Sequence, residues 1–106
     1  NCITNCYGTA VGGSCNCVLD DSFGTIVGGC CNFIGCGGGD RGFIGGGKLN
    51  TVSHAGASVI GSDLTSVGDD IFHTKCLYLS AAALPTSDPG VAGVVWRSGC
   101  DLKISL

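Results

Sequence analysis

The sequence predicts an all-β fold, a parallel β-roll or β-helix of roughly 16-residue turns followed by a C-terminal strand and hairpin. Three observations carry that expectation. First, the 106 residues include 20 Gly and no Met, Glu or Gln, with only five Lys plus Arg, so most strong helix formers are missing. What remains, chiefly Val, Ile, Thr, Ser, Asn, Asp and Gly, favours short strands joined by turns that need positive φ. Second, a β-branched residue followed by Gly recurs at Val11-Gly12, Val27-Gly28, Ile44-Gly45 and Ile60-Gly61, at spacings of 16, 17 and 16. Third, Asn16, Asn32, Asn50 and Thr65 follow these anchors by five residues, six in the third copy. Val18, Ile34, Val52 and Val67 each come two positions later.

The elements follow in chain order. Asn1-Cys2-Ile3 matches the second half of the repeating unit, so the chain opens partway through a turn. Each unit then holds two short strands, one at the Val/Ile-Gly anchor and one at Asn-x-Val/Ile, with Gly47 read as an extra residue in the third copy. Such a unit satisfies neither its backbone nor its apolar edge alone, so units must stack as rungs about 4.8 Å apart. With one or two inward apolar side chains per rung, burial at about 25 cal/mol per Å² hardly offsets backbone ordering. The coil, residues 1–70, is therefore expected to pack against copies of itself, three being natural for a fibre.

Residues 71–106 are expected to form a C-terminal base. The segment 71–79 reads as one longer strand. Pro85 and Pro89 fix φ at two points, and Asp88-Pro89-Gly90 is a turn signal. Segments 91–97 and 100–106 read as strands around a Ser98-Gly99 hairpin turn, with Trp96 as an anchor.

The net charge of -3, with no Lys/Arg cluster, gives no footprint for nucleic acid. No apolar run reaches the roughly 20 residues that span a bilayer, and no signal-like segment opens the chain. No nucleic acid, membrane or cofactor is expected.

Nine cysteines point to an oxidising, extracellular setting or to a metal. Cys2, Cys6, Cys15, Cys17, Cys30, Cys31, Cys36, Cys76 and Cys100 are all disulfide candidates. Cys15 and Cys31 share one column, and Cys2 and Cys17 another. In-register side chains make a poor disulfide torsion, so pairing between columns or between chains is favoured. Vicinal Cys30 and Cys31 are expected to seek different partners, and Cys76 and Cys100 to pair by elimination. An odd count leaves at least one thiol per chain in another role. No Cys-x-x-Cys spacing supports zinc; a Cys or His from each chain on a threefold axis is the competing reading.

No catalytic constellation stands out, and no enzyme is expected. His54 and His73 lack a nucleophile or zinc pattern. Asp20-Asp21 and Asp69-Asp70 sit in turn positions and lack a Glu partner for calcium. Gly45-Gly46-Gly47-Lys48 lacks the Walker spacing and a following helix, and reads as a turn of the coil.

The segments GTIVGGCCNFIG and GFIGGGKLNTVSHAGASVIGSDLTSVG, within residues 7–70, resemble the head repeats of trimeric autotransporter adhesins and the related coils of viral fibres. That resemblance implies three chains whose Val/Ile positions build a shared core. The C-terminal LPTSDPGVAGVVWRSGCDLKIS is similar to a module of tailed-phage and large-DNA-virus structural proteins, matched at Leu84 to Pro89, Trp96 and Leu102 to Ser105; Cys100 departs from it. The implied protein is a homotrimeric virion fibre or tail-spike segment. Its partners would be other virion proteins and a host-surface receptor or glycan. The alternative is a microbial surface adhesin head or self-assembling extracellular filament subunit.

Overall fold

A computed structural model describes residues 1–4, 7–19, 23–35 and 40–106. These fall into two compact units, Asn1–Lys75 and Cys76–Leu106.

The first unit is a β-solenoid of about four turns with two parallel sheets. One sheet takes the second strand of each turn: β1 (Cys2–Ile3), β3 (Cys17–Val18), β5 (Phe33–Ile34) and β7 (Thr51–Val52), in that spatial order. The other takes the first strand: β2 (Thr9–Ala10), β4 (Thr25–Ile26), β6 (Phe43–Ile44) and β8 (Ser58–Val59), then β9 (Phe72–His73). Every pairing is parallel. Bridges Ser14↔Cys30 and Cys30↔Lys48 add a third ladder. Two-residue strands hold only as part of such a stack, because each backbone group is satisfied by the turn above or below.

The core is a single file of side chains from both sheets: Val18, Ile26, Ile34, Ile44, Val52, Ala57 and Val59, all essentially inaccessible. Hence four of the eight sequence anchors, Val18, Ile34, Val52 and Ile44, point inward. Val11, Val27, Ile60 and Val67 instead face out, at 58%, 49%, 48% and 76% exposure.

The cause is register. Ile44 pairs with Ile26, not with Val27, so the inward column of the second sheet runs Ala10, Ile26, Ile44, Val59. Val11, Val27 and Ile60 each lie one residue later, and one position along a strand reverses the face. Gly47 is not an insertion. The third turn is longer between Ile34 and Phe43, while Gly29 and Gly47 occupy equivalent positions. Likewise Thr65, not Ser66, bridges to Thr51, which puts Ser66 rather than Val67 in line with Val52; Ser66 is 3% exposed.

The coil also runs past residue 70. β9 pairs with β8, so the expected strand over 71–79 shrinks to Phe72–His73, the part with a neighbour to bond.

The second unit holds an antiparallel hairpin, β10 (Val95–Ser98) and β11 (Asp101–Ile104). Ser98 pairs with Asp101, so the turn is Gly99-Cys100, one residue later than expected, with Gly99 supplying φ 62°. The stretch before β10 does not extend as strand: Val94 N–H donates to Val91 O at 3.1 Å.

The LPTSDP segment is tied to this hairpin. Arg97 N–H donates to Pro85 O at 2.9 Å and its Nε to Ala81 O at 2.7 Å. The buried Ser105 donates its hydroxyl to Asp88 Oδ1 at 2.6 Å, and Gly90 N–H donates to the same oxygen at 2.8 Å. The Ser105 and Gly90 donors stabilise the carboxylate and hold Asp88 below its ordinary range. A carboxyl depressed on folding contributes stability that is fully present above the unfolded value near 3.9 and is lost as pH falls through the lower folded value. Fluorescence of Trp96, the chain's single tryptophan, is therefore expected to report loosening of this unit below about pH 4, and Ser105→Ala to diminish that transition, leaving only the part due to the Gly90 N–H. An unaltered acid transition in the variant would refute the assignment.

Candidate functional site

Among the described residues of the coil, polar side chains line up in columns that repeat from turn to turn. The innermost is a ladder of asparagines. Asn16, Asn32 and Asn50 are fully buried. Asn32 Nδ2 donates to Asn16 Oδ1 at 3.1 Å, and Asn50 Nδ2 to Asn32 Oδ1 at 3.0 Å. Each oxygen also accepts the backbone N–H of the next rung: Asn16 Oδ1 from Asn32 at 3.2 Å, Asn32 Oδ1 from Asn50 at 3.1 Å, and Asn50 Oδ1 from Leu64 at 3.1 Å. Each amide nitrogen further donates to two glycine carbonyls, Gly28 and Gly47 for Asn32, and Gly46 and Gly61 for Asn50. Asn is suited here because its side chain carries two donors and an acceptor with two lone pairs. The ladder ends where Leu64 replaces Asn.

A second column lies outside the ladder. Cys15, Cys31, Leu49 and Asp63 all adopt left-handed backbone, φ 55°, 55°, 56° and 56°, and all are exposed. Bonds from Cys31 N–H to Ser14 O, Leu49 N–H to Cys30 O and Asp63 N–H to Lys48 O hold this arch in each turn. A left-handed conformation costs an ordinary residue about 1–2 kcal/mol, so the stacked neighbours, not the local sequence, impose it.

The thiols gather near this arch. Cys30 Sγ lies 3.2 Å from Cys31 Sγ and 3.5 Å from the donating Ser14 hydroxyl. That hydroxyl, then Cys31, and the Lys48 charge lower the Cys30 thiol; facing Cys30 first, then desolvation, pushes Cys31 up to about 11. Cys2 stands opposite Cys17 in register, and Cys17 is raised by burial and by Cys2. Cys2, Cys15, Cys17, Cys30, Cys31 and Cys100 carry thiols in this structure. Cys6, Cys36 and Asp20-Asp21 lie outside the described residues. Among the described residues no three His, Cys, Asp or Glu side chains converge as a metal site.

The histidines serve the backbone. His73 Nε2 accepts Val67 N–H at 3.1 Å, which leaves Nδ1 to donate to Ser58 O at 3.3 Å. His54 Nδ1 pairs with the buried Ser66 hydroxyl at 2.8 Å, whose oxygen also accepts Ser53 N–H at 3.0 Å. Asp69 Oδ1 accepts Ala55 N–H at 3.0 Å and Asp70 has φ 55°, both turn roles. Gly45 to Lys48 runs from β6 into the third ladder, where Lys48 bridges to Cys30.

The outward aliphatics form the remaining feature. Val11 N–H donates to Ile26 O and Val27 N–H to Ile44 O, so Val11 and Val27 follow the same strand position in successive turns, with Gly45 and Ile60 continuing the line. Tyr7 and Phe23, 64% and 57% exposed, stack on each other at 4.8 Å between ring centroids and 15° between planes.

Sequence reasoning recognised the Asn recurrence as a marker but not as the spine, and missed the left-handed column. The signal was Gly four residues before each Asn, at Gly12, Gly28 and Gly46, since those carbonyls receive the amides. Comparison with protein-family models, with curated proteins and with solved structures finds no match to this chain.

Proposed function

We propose that the chain is a structural segment of a viral surface fibre or tail spike, a stiff shaft built from three coils side by side. Its polar turns face a host receptor or glycan, and its cysteines are staples between neighbouring strands or chains. The observation that carries this reading is the exposed line Val11, Val27 and Ile60, interrupted only at Gly45. A coil only one side chain thick that leaves such a line in water gains from covering it with an identical line. The viral attribution rests on the likeness of Leu84 to Pro89 and Leu102 to Ser105 to a module of virion proteins.

Sedimentation of the chain is expected to show assembly in threes, and Val27→Asp to abolish the threefold species while the strand signature in circular dichroism is retained. A stable wild-type monomer would overturn the reading.

A further inference from the structure

We propose that the outer edge of β11 docks β11 of a second copy, the two strands running antiparallel about a twofold axis at Leu102. The pattern of the hairpin dictates which groups are on offer. Arg97 donates its N–H to Pro85 O, away from β11, and antiparallel neighbours alternate between bonded and non-bonded pairs. Leu102, opposite Arg97, therefore also turns its N–H and C=O away from the hairpin, as does Ile104, opposite Val95. β10 has Pro85 along its outer side, while β11 has no strand beyond it among the described residues.

This edge is short and charged, as Asp101 and Lys103 show, but no Pro, covering helix or neighbouring strand blocks it among the described residues. Leu102 and Ile104 are 61% and 62% exposed, and the strand carries no Pro. Leu102 and Arg97 help line an apolar concavity of about 440 Å³ with Leu77, Leu79 and Leu84. A second Leu102 set beside the first would enlarge that apolar face.

Charge then selects partner and direction. Asp101 and Lys103 flank Leu102 one residue to either side. With Leu102 opposite Leu102, each Asp101 faces the Lys103 of the other copy. In-register parallel pairing would instead set Asp101 beside Asp101 and Lys103 beside Lys103. The outward bonding groups of Leu102 make it the bonded pair, so the two charge pairs fall at non-bonded positions, where Cα atoms approach to about 4.5 Å and side chains meet most closely. The strand is self-complementary, and the contact does not depend on coils assembling in threes.

The test uses the full chain carrying Val27→Asp, so that coil association does not confuse the reading. Sedimentation equilibrium is expected to show a concentration-dependent dimer. Adding Asp101→Lys should return it to half that mass, and the charge swap Asp101→Lys with Lys103→Asp should restore the dimer. Hydrogen exchange gives a second readout: the Leu102 and Ile104 amides should slow at least tenfold with rising concentration, and not in Asp101→Lys. A mass indifferent to the single reversal, a swap that fails to restore it, or amides exchanging freely at every concentration would overturn the proposal. A Val27→Asp chain that remains trimeric would count against the coil reading alone.

Discussion

Asn32→Ala is expected to destabilise the coil by about 3 kcal/mol or more, because truncation leaves several buried groups without partners at about 1–3 kcal/mol each. Asn32 joins three turns. Its amide donates to Asn16 Oδ1, Gly28 O and Gly47 O, and its oxygen receives the backbone and side-chain N–H groups of Asn50. Alanine abandons all five contacts in a position with no access to water. Asp keeps the acceptor, but it loses the donated contacts to Asn16 Oδ1, Gly28 O and Gly47 O and buries a charge, so Asn32→Asp is expected to be no milder at neutral pH. Urea denaturation followed by circular dichroism measures both. A loss under about 1 kcal/mol for Asn32→Ala would mean that the ladder is incidental to stability.

The second large effect concerns glycines that differ by one position in their turns. At Gly29, φ is 87° and an added Cβ would overlap Gly47 O and sit 2.7 Å from Asn32 Nδ2. Gly29→Ala thus forces apart two backbones and strikes the ladder, and neither neighbour yields as the tip of a flexible side chain does. Loss of the folded coil is the expected result. At Gly12, φ is 78° but a Cβ meets nothing within 4 Å, so Gly12→Ala carries only the left-handed penalty of about 1–2 kcal/mol. Thermal melts of the two variants give the comparison. Equal losses would show that conformational preference, not turn-to-turn contact, sets the requirement for glycine.

The repeat was legible because burial, turn geometry and hydrogen bonding each demand a specific residue type once per turn. Its phase was not. Ile26 and Val27 are both β-branched, so either could be the inward residue, and Val27-Gly28 matched Ile44-Gly45 by dipeptide while the strands pair Ile26 with Ile44. The longer stretch between Ile34 and Phe43 absorbed the difference, and composition gives no reason to place it there rather than at Gly47. The eventual neighbours decided the rest. Segment 71–79 has good strand formers, yet β9 is limited to Phe72–His73. The hairpin turn moved by one residue because Gly99 takes the first turn position, at φ 62°. The ladder needed information from three turns at once: a single Asn and the Gly before it look like an ordinary loop.

The arch occupied by Cys15, Cys31, Leu49 and Asp63 holds a thiol, an aliphatic and a carboxylate in the same backbone shape. Chemical identity there is decoupled from folding. Substituents grafted at these four points would recur along the axis at the spacing between adjacent strands, about 4.8 Å, fixed in direction by main-chain bonds that none of them makes. The coil thereby doubles as a ruler, able to present a closely pitched array to any surface with a matching period while its interior remains unchanged.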